Sequence, residues 1–256
     1  MFTKEVRESK EYIDLFRQSK NLSPEIQLLL DKECIDGFSP VKLYEPQAVL
    51  VNEINSQEVL ETISFAGRMA WQKDWNKDPE SFVRHILKMN HESVIEHVCF
   101  NFALLTDRAT SHEIVRHRMS SFTQLSQRYV SYADTEKPVP IVLSTDLDND
   151  AKYLITESAI TSVSEYRLGV SFGGVKPEVA RQVLPNSVGT IMIYTVNPRS
   201  LRNFLSLRMA KGAYSPIRSI ANQIYDIMIE SGLEVFVEDF KDLRQYDPRN
   251  KIEKED

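Results

Sequence analysis

The chain has 256 residues, 42% hydrophobic and 27% charged, with a formal net charge of −6 and two cysteines, Cys34 and Cys99. That length supports one sizeable core or two small ones, and no apolar run approaches the roughly 18 to 20 residues of a membrane helix. The N-terminal MFTKEVRESKEYIDLF lacks the apolar stretch of a secretory signal, no Cys-x-x-Cys pair supports a disulfide framework or structural zinc, and a reducing cytoplasmic setting is expected.

Residues 1–46 read as an N-terminal extension with two short helices, around Lys10 to Gln18 and Ser23 to Glu33, ending in the turn-like Asp36-Gly37-Phe38-Ser39-Pro40. The segment is too small for its own core and is expected to pack on the body. The β-rich run Ala48 to Ile54 predicts a strand. A helix to about Trp71 follows, with Ser56 as its cap and Leu60, Ile63 and Ser64 at helical spacing. Asp78-Pro79 marks a second helix start, with Phe82, Val83, Ile86 and Leu87 as its apolar stripe. Val98 to Leu105 reads as a strand and Ser111 to Val115 as a short helix. Helices are predicted at Asn149 to about Leu168 and Pro177 to Leu184, and a strand at Val188 to Val196. Asn197-Pro198 opens a helix to Met209, and Pro216 to Gly232 gives another. Strands and helices mix without βαβ alternation, so the expected class is α+β: a single mixed domain over residues 47–245 with a polar tail over 246–256. The absence of GxGxxG after any strand leaves a Rossmann fold without support.

Arginines gather between Arg108 and Arg128 inside this acidic chain. Arg116-His117-Arg118 sets three cationic or potentially cationic side chains in a row, and after seven intervening residues come Ser126 and then Arg128. Such a run needs anions, and a planar guanidinium suits phosphate. The alternatives are a solvated helix face, or a nucleic-acid contact with Phe122, Tyr129 and Tyr132 as stacking partners. The acidic total counts against nucleic acid. All five histidines lie between His85 and His117, but His112-Glu113-Ile114-Val115-Arg116 carries an arginine where HExxH needs its second histidine, so no metal is expected.

On the helix after Asn197, Leu201, Phe204, Leu205 and Arg208 share one face at about 100° per residue. Arg208 therefore sits in an apolar stripe, either snorkelling at the helix end or held in a dry site against a ligand's negative charge. Arg199 and Asn203 share the opposite face, as if one helix served two ligand surfaces.

These motifs together resemble the flavin-dependent thymidylate synthases. Arg116-His117-Arg118, seven residues and Ser126 resemble the RHRx7S signature, extended by Ser126-Gln127-Arg128-Tyr129 and by His91-Glu92-Ser93-Val94-Ile95-Glu96-His97 upstream. Downstream, Arg181-Gln182-Val183-Leu184-Pro185, Thr195-Val196-Asn197-Pro198-Arg199-Ser200 and Asn203-Phe204-Leu205-Ser206-Leu207-Arg208 also fit, in order across roughly residues 48 to 240.

The resemblance implies reductive methylation of dUMP to dTMP, with 5,10-methylenetetrahydrofolate as carbon donor, FAD as carrier and NADPH as reductant. It implies a homotetramer with sites shared between subunits. FAD would be held by His91, Ser93, Glu96, Arg116, His117, Arg118, Asn197, Arg199 and Asn203. Glu113, Gln124, Ser126, Gln127, Arg128, Arg181 and Arg208 would hold dUMP, with Arg128 and Arg181 on its 5′-phosphate. Arg208 would stabilise the uracil ring ionised at N3, and His91 would orient the flavin and folate chemistry. Neither cysteine lies in a matched block, which suits a route without a cysteine nucleophile, and Ser126 has no triad spacing. Two departures stand out: Gln124 replaces a glutamate common before the signature serine, and Ala213-Tyr214-Ser215-Pro216-Ile217-Arg218 replaces a Gln-Trp-Glu-Ile-Arg stretch.

Overall fold

The computed structural model describes residues 12–20, 22–32, 39–72 and 78–250. A 3-10 turn at Tyr12–Leu15 precedes helix α1 (Pro24–Lys32). The helix expected from Lys10 to Gln18 is not continued past Leu15. There the chain is extended, Gln18 bridges antiparallel to Tyr44, and the Ser19 N–H donates to the Leu43 carbonyl at 3.0 Å. Phe16 explains this, because it is buried in a cluster with Tyr44, Ala103, Leu105 and Val142. Lys10, Glu33, Cys34 and the Asp36–Phe38 part of the expected turn lie outside the described residues.

Strands β1 (Val41–Tyr44) and β2 (Gln47–Leu50) come next, β2 ending earlier than the predicted run to Ile54. Helix α2 (Ser56–Trp71) is capped by Asn55, whose side chain accepts from the Glu58 N–H at 3.3 Å; Ser56, the expected cap, is the first helical residue. The helix starts one residue earlier because the Asn55 amide oxygen reaches the third N–H of the first turn. Helix α3 (Pro79–Lys88) begins as predicted, with Asp78 accepting from the Ser81 N–H at 2.9 Å and Phe82, Val83 and Ile86 buried.

A 3-10 segment, Glu92–His97, leads to β3 (Phe100–Asp107), α4 (Arg108–Ile114), β4 (Ser120–Gln124) and β5 (Val139–Val142). Then follow α5 (Asn149–Ser171), α6 (Pro177–Ala180), a 3-10 turn at Arg181–Val183 and β6 (Gly189–Val196). Helices α7 (Pro198–Arg208) and α8 (Ser215–Glu230) and two 3-10 segments, Glu234–Phe236 and Glu238–Tyr246, complete the described chain. Asp247 is buried and pairs with Arg244 and Arg249 at 2.8 and 2.6 Å.

The main sheet is antiparallel in the order β2-β3-β6-β4, and β1 and β5 form a separate parallel pair. The period of two along β3 and β6 divides the core. Phe102, Leu104, Met192, Tyr194 and Val196 face the large cluster made with α2, α3, α7 and α8. Ala103 and Leu105, with Ile191 and Ile193 partly buried, face the cluster around Phe16. Burial on both faces explains why the central strands read as unbroken apolar runs. Beneath the β1–β5 pair, α1 and α5 supply Ile26, Leu30, Ala159, Ile160 and Val163. The α2–α3 crossing is close enough that a Cβ on Gly67 would lie 2.5 Å from the Phe82 ring. Among the described residues no helix is long and apolar enough to cross a membrane. The mixed helices and antiparallel sheet make the class α+β.

Candidate active site

Helix α7 organises the site. Its Asn197 cap accepts from the Ser200 N–H at 2.8 Å, and Pro198 occupies the first turn. Leu201, Phe204 and Leu205 are fully buried, which fixes the helix's rotation and brings Arg208 to the rim of the core. An open depression of about 890 Å³ wraps this helix, lined by Glu92, Glu96, Arg116, His117, Arg118, Asn197, Arg199, Arg202, Asn203 and Arg208, with Met119, Ser120, Leu207 and Phe240 among the others. Arg199 and Arg208 thus face one continuous hollow on two sides of α7, rather than two separate surfaces.

Five arginines against two glutamates give this hollow an excess of positive charge. The Arg199 guanidinium donates to Glu96 at 2.6 Å, and the same carboxylate neighbourhood raises its pKa. Arg202 is held by Glu92 at 3.0 Å, Asp239 at 2.6 Å and the Phe236 carbonyl at 3.0 Å, over the Phe240 ring. Arg208 donates from NH1 to Glu113 at 2.6 Å and from Nε to Nε2 of His117 at 2.9 Å. Arg116 and Arg118 make no side-chain hydrogen bond or ion pair with the described residues and are exposed.

Of the three cationic or potentially cationic side chains in the Arg116–Arg118 run, His117 is the uncharged one. Burial, and then the charge of Arg208, push its pKa down to about 4, so the ring is neutral near pH 7. As an acceptor at Nε2 it carries its proton on Nδ1.

A second group lies outside that lining. Ser126 opens a turn, its carbonyl accepting from the Val130 N–H at 3.0 Å and its hydroxyl from the Arg128 N–H at 3.3 Å. The Arg128 guanidinium is 3.7 Å from the Glu178 carboxylate on α6, and Arg181 Nε donates to the Glu178 carbonyl at 3.1 Å. Arg108 is close enough to Arg181 that their charges repel, and Gln127 lies beside the Tyr132 hydroxyl. Arg167, itself buried, pins the following loop by donating to the carbonyls of Tyr132, Asp134 and Lys137 at 3.1, 3.0 and 2.8 Å.

The residues predicted for dUMP therefore divide. Arg208 lines the hollow, with Glu113 paired to it from outside the lining; Ser126, Gln127, Arg128 and Arg181 form the second group. Gln124 turns inward from β4 and donates to the Ser111 and Thr190 hydroxyls at 3.0 and 3.1 Å. Of the residues predicted for FAD, Glu96, Arg116, His117, Arg118, Asn197, Arg199 and Asn203 line the hollow. His91 and Ser93 are exposed and lie off it, His91 with its ring 6.1 Å from that of Trp71. Glu92, Arg202 and Glu178 were not singled out beforehand, since charged residues on a helix read as a solvated face. The proposed stacking trio does not form: Phe122 stacks on Tyr194 at 5.3 Å and Tyr132 packs on Tyr166, leaving Tyr129 exposed. Among the described residues no three His, Cys, Asp or Glu groups converge on a metal position.

The model of the family described as thymidylate synthase complementing protein matches residues 50–231. A flavin-dependent thymidylate synthase of Pyrococcus furiosus is 31% identical over 181 residues, covering 66% of this chain and 74% of that protein. A flavin-dependent thymidylate synthase of Geobacter sulfurreducens is 36% identical over 145 residues, covering 56% and 62%. One of Mycobacterium tuberculosis is 33% identical over 180 residues, covering 62% and 71%. The fold is shared with thymidylate synthase X of Helicobacter pylori, crystallised with FAD and dUMP, at a TM-score of 0.63 and 22% identity over 77% of this chain and 99% of that one. With the family match running through both arginine groups and the core that carries them, the chain belongs to the flavin-dependent thymidylate synthase family of enzymes.

Proposed function

We propose that the protein converts dUMP to dTMP by reductive methylation, with 5,10-methylenetetrahydrofolate as carbon donor, FAD as carrier and NADPH as reductant. The observation that carries this reading is Arg208: a guanidinium at the buried edge of a cation-rich hollow, held by Glu113 and His117 rather than lost to solvent. Opposite the N3 position of a uracil ring, it stabilises the negative charge left when N3 loses its proton, which makes C5 nucleophilic without a cysteine.

The hollow fits FAD in its donor set. Arg116 and Arg118, without side-chain partners among the described residues, suit the pyrophosphate oxygens, and Asn203 and Arg199 offer further donors beside them. Held by these residues, FAD would supply the redox and one-carbon carrier chemistry of the reaction. Ser126, Arg128 and Arg181, outside the lining of the hollow that holds Arg208, bind the 5′-phosphate of dUMP, in a homotetramer in which neighbouring subunits complete each site. His91, exposed and away from the hollow of its own chain, is assigned to flavin and folate orientation on the same ground.

Tritium release from [5-³H]dUMP tests this reading, using protein loaded with FAD and supplied with NADPH and methylenetetrahydrofolate. Release that needs all three, with dTMP formed, is the expected result. A flavin-loaded protein that binds dUMP yet releases no tritium would overturn it.

A further inference from the structure

We propose that His117 is a positioning residue for Arg208: its Nε2 accepts the Arg208 Nε–H at 2.9 Å and, with Glu113 on NH1 at 2.6 Å, sets the plane and direction of the guanidinium. This goes beyond the flavin contact implied by the resemblance and rests on the assignment of Arg208 to uracil ionisation.

The imidazole is built to hold still. The His117 backbone N–H donates to the Ile114 carbonyl at 3.1 Å, which fixes the main chain that carries the ring. Its ring meets Phe204 edge-on at 4.9 Å, and Phe204, fully buried, packs in turn on Tyr194 at 5.5 Å. Phe204 and Arg208 are one helical turn apart on α7, so the surface that orients the histidine also carries the arginine.

The choice of a neutral acceptor matters electrostatically. A second carboxylate on Arg208 would cancel the positive charge that a uracil anion needs, whereas an imidazole fixes the guanidinium's direction without neutralising it. Desolvation and the neighbouring Arg208 keep the ring uncharged down to about pH 4, so it remains an acceptor throughout the neutral range. Glu113 accepts from both terminal nitrogens, Nη1 on its carboxylate at 2.6 Å and Nη2 on its carbonyl at 3.4 Å, and His117 accepts from Nε, leaving one N–H on each terminal nitrogen for the pyrimidine.

The test is ultraviolet titration of bound 5-fluoro-dUMP, whose absorbance reports loss of the N3 proton to water, on FAD-loaded wild type, H117Q and H117F. Wild type is expected to lower the N3 pKa below that of the free nucleotide. H117Q places an amide oxygen near the Nε2 position and is expected to keep most of that shift. H117F, lacking any acceptor, is expected to lose about one pH unit of it, with kcat down about 10- to 100-fold and the KM for dUMP changed less than about threefold. H117M is the second acceptor-free variant should H117F not fold. A full shift in H117F or H117M overturns the proposal and leaves the Arg208 reading standing. Equal loss of flavin absorbance and of the shift in H117Q and H117F assigns His117 to the flavin alone and also overturns it. No shift in wild type overturns the Arg208 reading, and the proposal with it.

Discussion

The two arginine groups solve the same problem in different ways. On α7 itself the cations are already committed: Arg199 to Glu96, Arg202 to Glu92 and Asp239, Arg208 to Glu113 and His117. Beside α6 they are not. Arg128 is 56% exposed and reaches its nearest carboxylate, Glu178, only at 3.7 Å, while Arg181 uses the same residue's backbone. The Arg208 side chain, at 21% exposure, is oriented before any ligand arrives. A group pre-oriented by its own protein contributes mainly to the chemical step, and a loosely held cation contributes mainly to capture of an anion.

Four measurements break or sharpen that contrast. The largest effect is expected from Arg208→Ala: dTMP formation falls by about 100- to 1000-fold or more while flavin absorbance persists, measured by tritium release and the visible spectrum. Substantial synthase activity in this variant removes the distinction between the two groups. Next, Arg181→Ala is expected to raise the KM for dUMP about 10- to 100-fold with a smaller change in kcat, since a phosphate contact binds ground and transition states alike. A variant that loses kcat instead moves Arg181 into the chemistry. Third, Arg199→Ala is expected to weaken FAD about tenfold, read by flavin fluorescence titration, with residual turnover recoverable at high FAD. Unchanged flavin affinity contradicts its placement.

The smallest effect concerns acid. An unfolded histidine titrates near its ordinary 6.5 and His117 in the fold near 4, so between these values the unfolded chain binds the extra proton. Stability is therefore present above pH 6.5 and is lost as pH falls towards 4. For a half-buried ring, allowing for solvent screening, this amounts to about 1 to 2 kcal/mol. H117Q should lose correspondingly less stability than wild type between pH 7 and 4.5 in urea unfolding; identical losses show that His117 is not shielded as described.

Much of the scaffold around α7 was legible because its signals are local. Asp78-Pro79 and Asn197-Pro198 each combine a capping oxygen with a proline at the first turn, and both helices begin there. The buried stripe Leu201, Phe204, Leu205 with Arg208 beside it followed from helical spacing alone. Strand β4 was not legible, because Ser120-Ser121-Phe122-Thr123-Gln124 is polar apart from one ring and is specified by pairing with β6. Strands β1 and β5 escaped for a related reason: each is four residues long, Pro40 and Pro138 border them, and their partners are remote. Within the site, the residue types came from motifs, whereas the lowered pKa of His117 depends first on its burial in the fold and then on meeting Arg208 of α7. No spacing rule contains that contact. Glu178 and Arg202 were hidden similarly, as ordinary charged helix residues whose importance lies in what faces them.

The parallel pairing of Val41–Tyr44 with Val139–Val142 sets a condition on how the molecule is made. During synthesis β1 emerges long before β5, and the nearby Gln18–Tyr44 bridge occupies only its other edge. About a hundred residues must follow before the pair closes, a separation that slows folding through the entropy of closing so long a loop. Until then Val41 and Leu43, both buried in the finished fold, are left for chaperones or transient collapse to shelter.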